Sequence, residues 1–111
     1  MVYYKRILVT GAAGFIGANL IKKLLASKNK LHIFIRKTTN LWRIKDIESH
    51  LKLYTVSLEN HKELKKIVNK IKPEIIYHLA AYGNYSYEND PINIIKTNLI
   101  GTANLLWSLN S

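Results

Sequence analysis

Cysteine is absent from this sequence, which excludes a disulfide framework and any zinc site made of thiolates. Long apolar runs are missing too. None approaches the ~18 residues needed to span a bilayer, so no membrane association is expected. The opening Met1-Val2-Tyr3-Tyr4-Lys5-Arg6 leads straight into a short apolar stretch, without the apolar core and cleavage site of a secretory signal. A cytoplasmic, reducing location is therefore the expectation, and no metal site is expected.

Acidic residues are scarce as well: seven Asp and Glu stand against 17 Lys and Arg, for a net charge of +10. Sixteen of the 17 cations lie within residues 1–72, where the only acids are Asp46, Glu48, Glu59 and Glu63. Such a balance invites a nucleic-acid reading. Most of the lysines (Lys22, Lys23, Lys62, Lys65, Lys66, Lys70) nevertheless fall on the polar sides of expected helices, and no nucleic-acid motif accompanies them. Solvated helix faces are the preferred account, and attraction of an anionic cofactor or substrate is a third.

What is present is alternation. The 111 residues, 48% of them hydrophobic, suffice for one core and one domain. Residues 6–10 read as a short buried strand and 15–27 as a helix, with Ile16, Leu20 and Leu24 on one stripe. A strand over 31–36, a short helical or irregular crossover at 41–48 and a strand over about 51–56 follow. Leu64, Ile67, Val68 and Ile71 then stand at i, i+3, i+4 and i+7, and Pro73 stops that helix. Residues 75–79 form a fourth strand. Asp90-Pro91 is an N-cap with proline at the first helical position, opening a helix to about residue 110. The β-α-β-α order predicts an α/β fold, a parallel sheet of about four strands with helices on both faces.

The last helix carries a stripe, Ile92, Ile95, Leu99, Thr102 and Leu106, suited to docking on a sheet. Its other sides hold Ile94, Ile100, Ala103, Leu105 and Trp107, and its only charge after the cap is Lys96. A helix apolar nearly all round expects cover nearly all round, from more chain or from a partner subunit. A dimer, or packing through helix 91–110, is expected. The fourth strand is expected at a sheet edge.

Thr10-Gly11-Ala12-Ala13-Gly14-Phe15-Ile16-Gly17 lies at the switch from strand to helix. Gly11 permits the turn, Gly14 lets backbone approach a pyrophosphate, and Gly17 allows close helix–strand packing. The helix N-terminus supplies the anion site. Gly11, Ala13, Gly14, Phe15, Ile16 and Gly17 are thus candidate dinucleotide contacts. In an NAD-selective site an acid stands about 20 positions past the glycines, on the ribose hydroxyls. Here that place holds Arg36, with Lys37 and Arg43 near by. Guanidinium groups bind a 2′-phosphate that an acid would repel, so NADP is favoured, with NAD the alternative.

The G-x-x-G-x-x-G spacing, His78-Leu79-Ala80-Ala81 after the fourth strand, and Thr97-Asn98-Leu99-Ile100-Gly101-Thr102 in the last helix have a joint implication. With them the chain resembles, over essentially its whole length, the extended short-chain dehydrogenase/reductase family of nucleotide-sugar epimerases and dehydratases. Residues 36–43 are similar to members acting on CDP- or dTDP-linked deoxysugars. The resemblance implies that residues 1–111 are the N-terminal part of an NAD(P)-binding Rossmann domain, with the substrate domain absent. It implies that Leu79, Ala80 and Ala81 lie along the cofactor, and that Asn98 shapes the site and its proton-relay water; a locally satisfied buried Asn98 is the alternative. Where the family has an adenine-contacting aspartate, this chain has Ser57 before Leu58, and both are taken as cofactor contacts. The implied parent is an NAD(P)-dependent oxidoreductase acting on a nucleotide sugar.

The family's acid/base pair is a tyrosine with a lysine four residues later. Residues four places after Tyr3, Tyr4, Tyr54, Tyr77, Tyr82, Tyr85 and Tyr87 are Ile7, Leu8, Leu58, Ala81, Ser86, Asn89 and Pro91. None is lysine, so the chain as given is catalytically incomplete. A non-catalytic dinucleotide-binding module working with a partner is the alternative. His50, His61 and His78 are too scattered for a substitute dyad. Tyr82, Asn84, Tyr85 and Tyr87 either line a sugar or nicotinamide pocket or pack against further protein.

Overall fold

The computed structural model describes residues 5–83 and 85–110. Four parallel strands form one sheet in the order β3-β2-β1-β4. They are β1 (Arg6–Thr10), β2 (Lys30–Ile35), β3 (Lys52–Thr55) and β4 (Ile75–His78). β1 is central, pairing Ile7 with Leu31 and with Ile75, and Val9 with Ile33 and with Tyr77. Strands covered on both faces become continuous apolar runs, and β1 is buried from Ile7 to Thr10. β4 lies at the sheet edge, as expected.

Alternation along the strands divides the core into two layers. On one face Ile7, Val9, Leu31 and Ile33 pack with Ala18 and Ile21 of α1 (Phe15–Ala26) and with Ile44. Ile44 belongs to the crossover, which is a 3₁₀ helix over Trp42–His50. On the other face Leu8, Phe34 and Val56 meet Leu64, Val68 and Ile71 of α2 (His61–Ile71), together with Leu105. Asn60 caps α2 by accepting the Glu63 N–H at 3.2 Å, and Lys72 ends it in the left-handed conformation at φ +51°. The α/β architecture with helices on both faces is the one expected.

The last helix departs from expectation in form and in facing. α3 (Pro91–Ile94), a π-helical stretch (Ile95–Ile100) and α4 (Gly101–Ser108) run on without a break, their junction residues all right-handed helical. Asp90 caps it, accepting the Ile92 N–H at 2.9 Å. Of the stripe expected to dock, Ile92, Ile95, Leu99 and Leu106 are exposed, Leu99 by 66% and Leu106 by 62%, and only Thr102 turns inward. The buried side is Gly101, Leu105 and Ser108. Small residues decide the facing. A Cβ on Gly101 would stand 3.0 Å from the Leu58 Cβ, so this side admits the helix closest to the loop after β3. Asn104 secures it by donating to the Leu58 carbonyl at 2.9 Å. In α1, likewise, Gly17, Ala18 and Ile21 are buried while Ile16 is 71% exposed.

Candidate functional site

The strand order reverses between β1 and β4, and the C-terminal side of such a switch is the place at which open α/β sheets bind ligands. An open cleft of about 850 Å³ lies there. Gly11, Ala13, Gly14, Phe15, Ile16, Gly17, Arg36, Arg43, Ser57, Leu58, Leu79, Ala80 and Ala81, all singled out from the sequence, line it together. Asn98 is not among the lining residues. Tyr85 and Tyr87 reach the cleft; Asn84 lies outside the described residues.

The three glycines of the loop serve different ends. Gly11 turns at φ +72°, and a Cβ on it would lie 2.5 Å from the Leu79 carbonyl carbon. A Cβ on Gly17 would press on the Gly11 carbonyl oxygen and stand 2.7 Å from the Ala12 Cα. Packing alone demands those two. Gly14 is different: its backbone is ordinary (φ −75°, ψ 176°), and a Cβ there would meet only the Gly11 oxygen at an unstrained 3.5 Å. Among the described residues no packing contact requires glycine at 14. The space in front of it is open toward the cleft. Gly14 is also the N-cap of α1 and offers no side chain to its first amides, so those donors have no side-chain cap.

Cations border the loop. Arg43 donates from Nη1 to the Ala13 carbonyl at 3.3 Å, and its guanidinium sits 4.5 Å from the centre of the Trp42 ring. Arg36 begins a tight turn in which its N–H donates to the Thr39 Oγ at 2.9 Å and its carbonyl accepts the Thr39 N–H at 3.0 Å. Among the described residues no carboxylate pairs with either guanidinium. Ser57 spends its hydroxyl locally, accepting the Glu59 N–H at 3.2 Å. Trp42, Glu59 and Glu88 also line the cleft and were missed in the sequence. Trp42 gave a signal there, as a large aromatic on a polar crossover beside Arg43.

The far wall is the loop after β4. The Leu79 N–H donates to the Thr10 carbonyl and the Ala80 N–H to the Thr10 Oγ, both at 3.1 Å. His78 bridges Thr10 (2.6 Å to Nδ1) and Thr102 (2.8 Å to Nε2), and burial pushes its pKa down. Asn98 holds the next turn of chain, its side chain accepting the Tyr82 N–H and donating to the Tyr82 carbonyl, each at 2.8 Å. Both polar atoms of Asn98 are thereby engaged with backbone. The Tyr85 and Tyr87 rings stack on each other, 5.3 Å apart and within 2° of parallel.

Comparison with known proteins agrees with this geometry. A family model described as GDP-mannose 4,6 dehydratase matches residues 8–110. The chain belongs to that family. A UDP-glucuronic acid decarboxylase 1 of Danio rerio is 36% identical over 105 residues, covering 92% of this chain and 24% of its own length. A GDP-6-deoxy-D-talose 4-dehydrogenase of Aggregatibacter actinomycetemcomitans is 36% identical over 104 residues, covering 94% and 30%. Among solved structures, the UDP-glucose 4-epimerase of Thermotoga maritima with UDP-glucose superposes with a TM-score of 0.81 at 28% identity, over 96% of this chain and 33% of that one. The dTDP-glucose 4,6-dehydratase of Bacillus anthracis in complex with NAD gives 0.74 at 31% identity, over 91% and 32%. The family resemblance and the Rossmann-type fold read from the sequence are both correct. The chain spans about a quarter to a third of the length of these relatives.

Proposed function

We propose that this chain is the dinucleotide-binding portion of a nucleotide-sugar epimerase/dehydratase-type oxidoreductase. The observation that carries the proposal is the cleft itself: it gathers every cofactor residue chosen from the sequence, and its volume of about 850 Å³ is within the range of cofactor and ligand pockets. Gly14 and the uncapped start of α1 face a pyrophosphate, and Leu79–Ala81 lie along the ligand. When bound, the nicotinamide takes hydride from a sugar carbon; the chain's own part is to bind and orient. Acid/base work on the sugar needs a tyrosine–lysine pair that residues 1–111 do not contain.

The dinucleotide is NAD(P). NADP is the preferred form in this proposal, because Arg36 and Arg43 border the cleft without a paired carboxylate, although the Bacillus anthracis relative was solved with NAD. Titration with NADPH, NADH and an unrelated oligonucleotide tests the function. Saturable dinucleotide binding supports it; oligonucleotide binding alone refutes it in favour of a basic nucleic-acid domain.

A second reading rests on the exposed Ile92, Ile95, Leu99 and Leu106. In it the chain is a non-catalytic module whose last helix is covered by a partner or by a second copy. Intact mass of the protein from its source cells separates the two: a species well above 12.8 kDa carries further chain, and one of that mass works through a partner. Among the described residues no helix is long and apolar enough to cross a membrane. The cytoplasmic location stays part of the proposal and is tested by fractionation.

A further inference from the structure

His78, which precedes the cleft-lining Leu79, is a half-buried titratable ring whose two nitrogens are both engaged by side chains of other elements. The Thr102 hydroxyl donates to the Asn98 carbonyl at 2.7 Å, so its lone pairs must accept from His78, which places the ring proton on Nε2. Nδ1 is then the acceptor for the Thr10 hydroxyl at 2.6 Å, and the same Thr10 oxygen accepts the Ala80 N–H at 3.1 Å. Every donor in the chain Ala80–Thr10–His78–Thr102–Asn98 finds an acceptor with the ring neutral, an assignment made from the network. A second proton on the ring would aim Nδ1–H at Thr10 and strip the buried Thr10 hydroxyl of its acceptor. The backbone held by this chain is the one packed on Gly11, where a single Cβ has no room.

We infer that His78 is a positioning residue: as the neutral Nε2–H ring it fixes the Leu79–Ala80 backbone against Gly11 and ties it to the helix at Thr102, so that dinucleotide binding requires the uncharged ring. The inference rests on the cofactor reading above. Burial pushes the His78 pKa down from its ordinary 6.5. The charged groups of the surrounding elements are Arg6 on β1, Glu74 before β4, Glu88 in the following loop, and Asp90 and Lys96 at the last helix, and the ring itself is bonded to threonines. The Asn98 side chain pins Tyr82 from the turn of helix that ends the chain, so one helical segment holds the loop at two points.

The test is calorimetric titration with NAD, whose diphosphate bridge does not ionise in this range, from pH 8 to pH 5 on the wild type, His78→Gln, Thr102→Val and Thr102→Ser. In parallel, nitrogen NMR of the imidazole gives its tautomer and pKa, and hydrogen exchange follows the Ala80 amide. The wild type should carry Nε2–H at pH 8 and lose affinity by about tenfold or more as the ring titrates. His78→Gln, neutral throughout, should lack that step; Thr102→Val should weaken binding at pH 8 and Thr102→Ser restore it. Parallel pH profiles for wild type and His78→Gln, or an Nδ1–H ring at pH 8, overturn the inference. Were NAD not to bind at any pH, the cofactor reading would fall, and Ala80 exchange would decide this one alone. Faster exchange on ring protonation in the wild type only supports it, and exchange unchanged by ring protonation overturns it.

Discussion

Replacing Gly14 separates the ligand reading of the glycine loop from a purely structural one. A methyl on Gly14 meets the protein only at the Gly11 oxygen, 3.5 Å away, and the backbone there suits any residue. Gly→Ala at an unstrained position stabilises by about 0.4–1 kcal/mol through the unfolded chain, whereas alanine is a worse N-cap than glycine by a comparable amount, roughly 0.5–1 kcal/mol. The two effects nearly cancel. The midpoint of thermal unfolding should therefore move by less than about 5 °C for a domain of this size. Binding is another matter, because the methyl occupies the space through which a pyrophosphate reaches the first amides of α1. Gly14→Ala should lower dinucleotide affinity by about tenfold or more, close to 1.4 kcal/mol, and Gly14→Val by more. Gly17→Ala supplies the contrast: its Cβ runs into the Gly11 and Ala12 backbone, and overpacking of that kind costs typically 1–3 kcal/mol or more. Calorimetric melting and NADPH fluorescence titration on the three variants read both quantities. Full affinity in Gly14→Val, or a Gly14→Ala melting point depressed as far as that of Gly17→Ala, would refute the reasoning.

Arg36→Asp should lower the NADP:NAD affinity ratio by about tenfold or more, by removing a guanidinium and adding a repelling charge; an unchanged ratio sinks the NADP preference. His32 and His78 both have pKa values lowered from 6.5, His32 by burial first and then by Lys52, Lys30 and Arg6, His78 by burial alone. A folded pKa below the unfolded one means that the unfolded chain takes the proton first. Stability should hold above pH 6.5 and fall as pH drops below it toward the folded pKa values, seen as a lower urea midpoint at pH 5 than at pH 8; a higher midpoint at pH 5 contradicts the burial of these rings. Leu105→Ala should cost about 2–5 kcal/mol and Leu106→Ala less than about 0.5 kcal/mol, since Leu105 is 3% exposed and Leu106 62%. Equal losses in chemical denaturation would show that the helix docks on a different side.

The strands and α2 were legible because their signals were one-sided. β1 is apolar on both faces, and in α2 the positions Leu64, Val68 and Ile71 lie on the side opposite Lys62, Lys65, Lys66 and Lys70, so only one register buries carbon and exposes charge. The glycine loop was legible for the same kind of reason, since only a close approach explains glycine at the end of one strand and in the first turn of a helix. The crossover was open between helix and irregular chain. Its single buried anchor, Ile44, leaves no periodicity to read. The network around His78 was out of reach, because Thr10, His78 and Thr102 meet only when β1, β4 and the last helix are assembled. Arg43 lay near the right place in the sequence, but its bond to the Ala13 carbonyl spans 30 residues of chain.

The last helix shows why counting apolar residues picked the wrong face. Both sides of it carry isoleucine and leucine, so hydrophobicity does not rank them. Approach distance does. On the side of Gly101 and Ser108 the missing bulk lets the helix come within contact of Leu58, and Leu105 then reaches the layer formed by Leu8, Val56 and Leu64. The same closeness brings Thr102 to His78 and Asn98 to Tyr82. Of the stripe Ile92, Ile95, Leu99, Thr102 and Leu106, only Thr102 turns inward, to His78 Nε2, while the four bulky members stay outside. The small residues that conceal the docking face from a hydrophobicity count are therefore the ones that let this helix shape the cofactor wall, and they leave the larger apolar stripe facing outward.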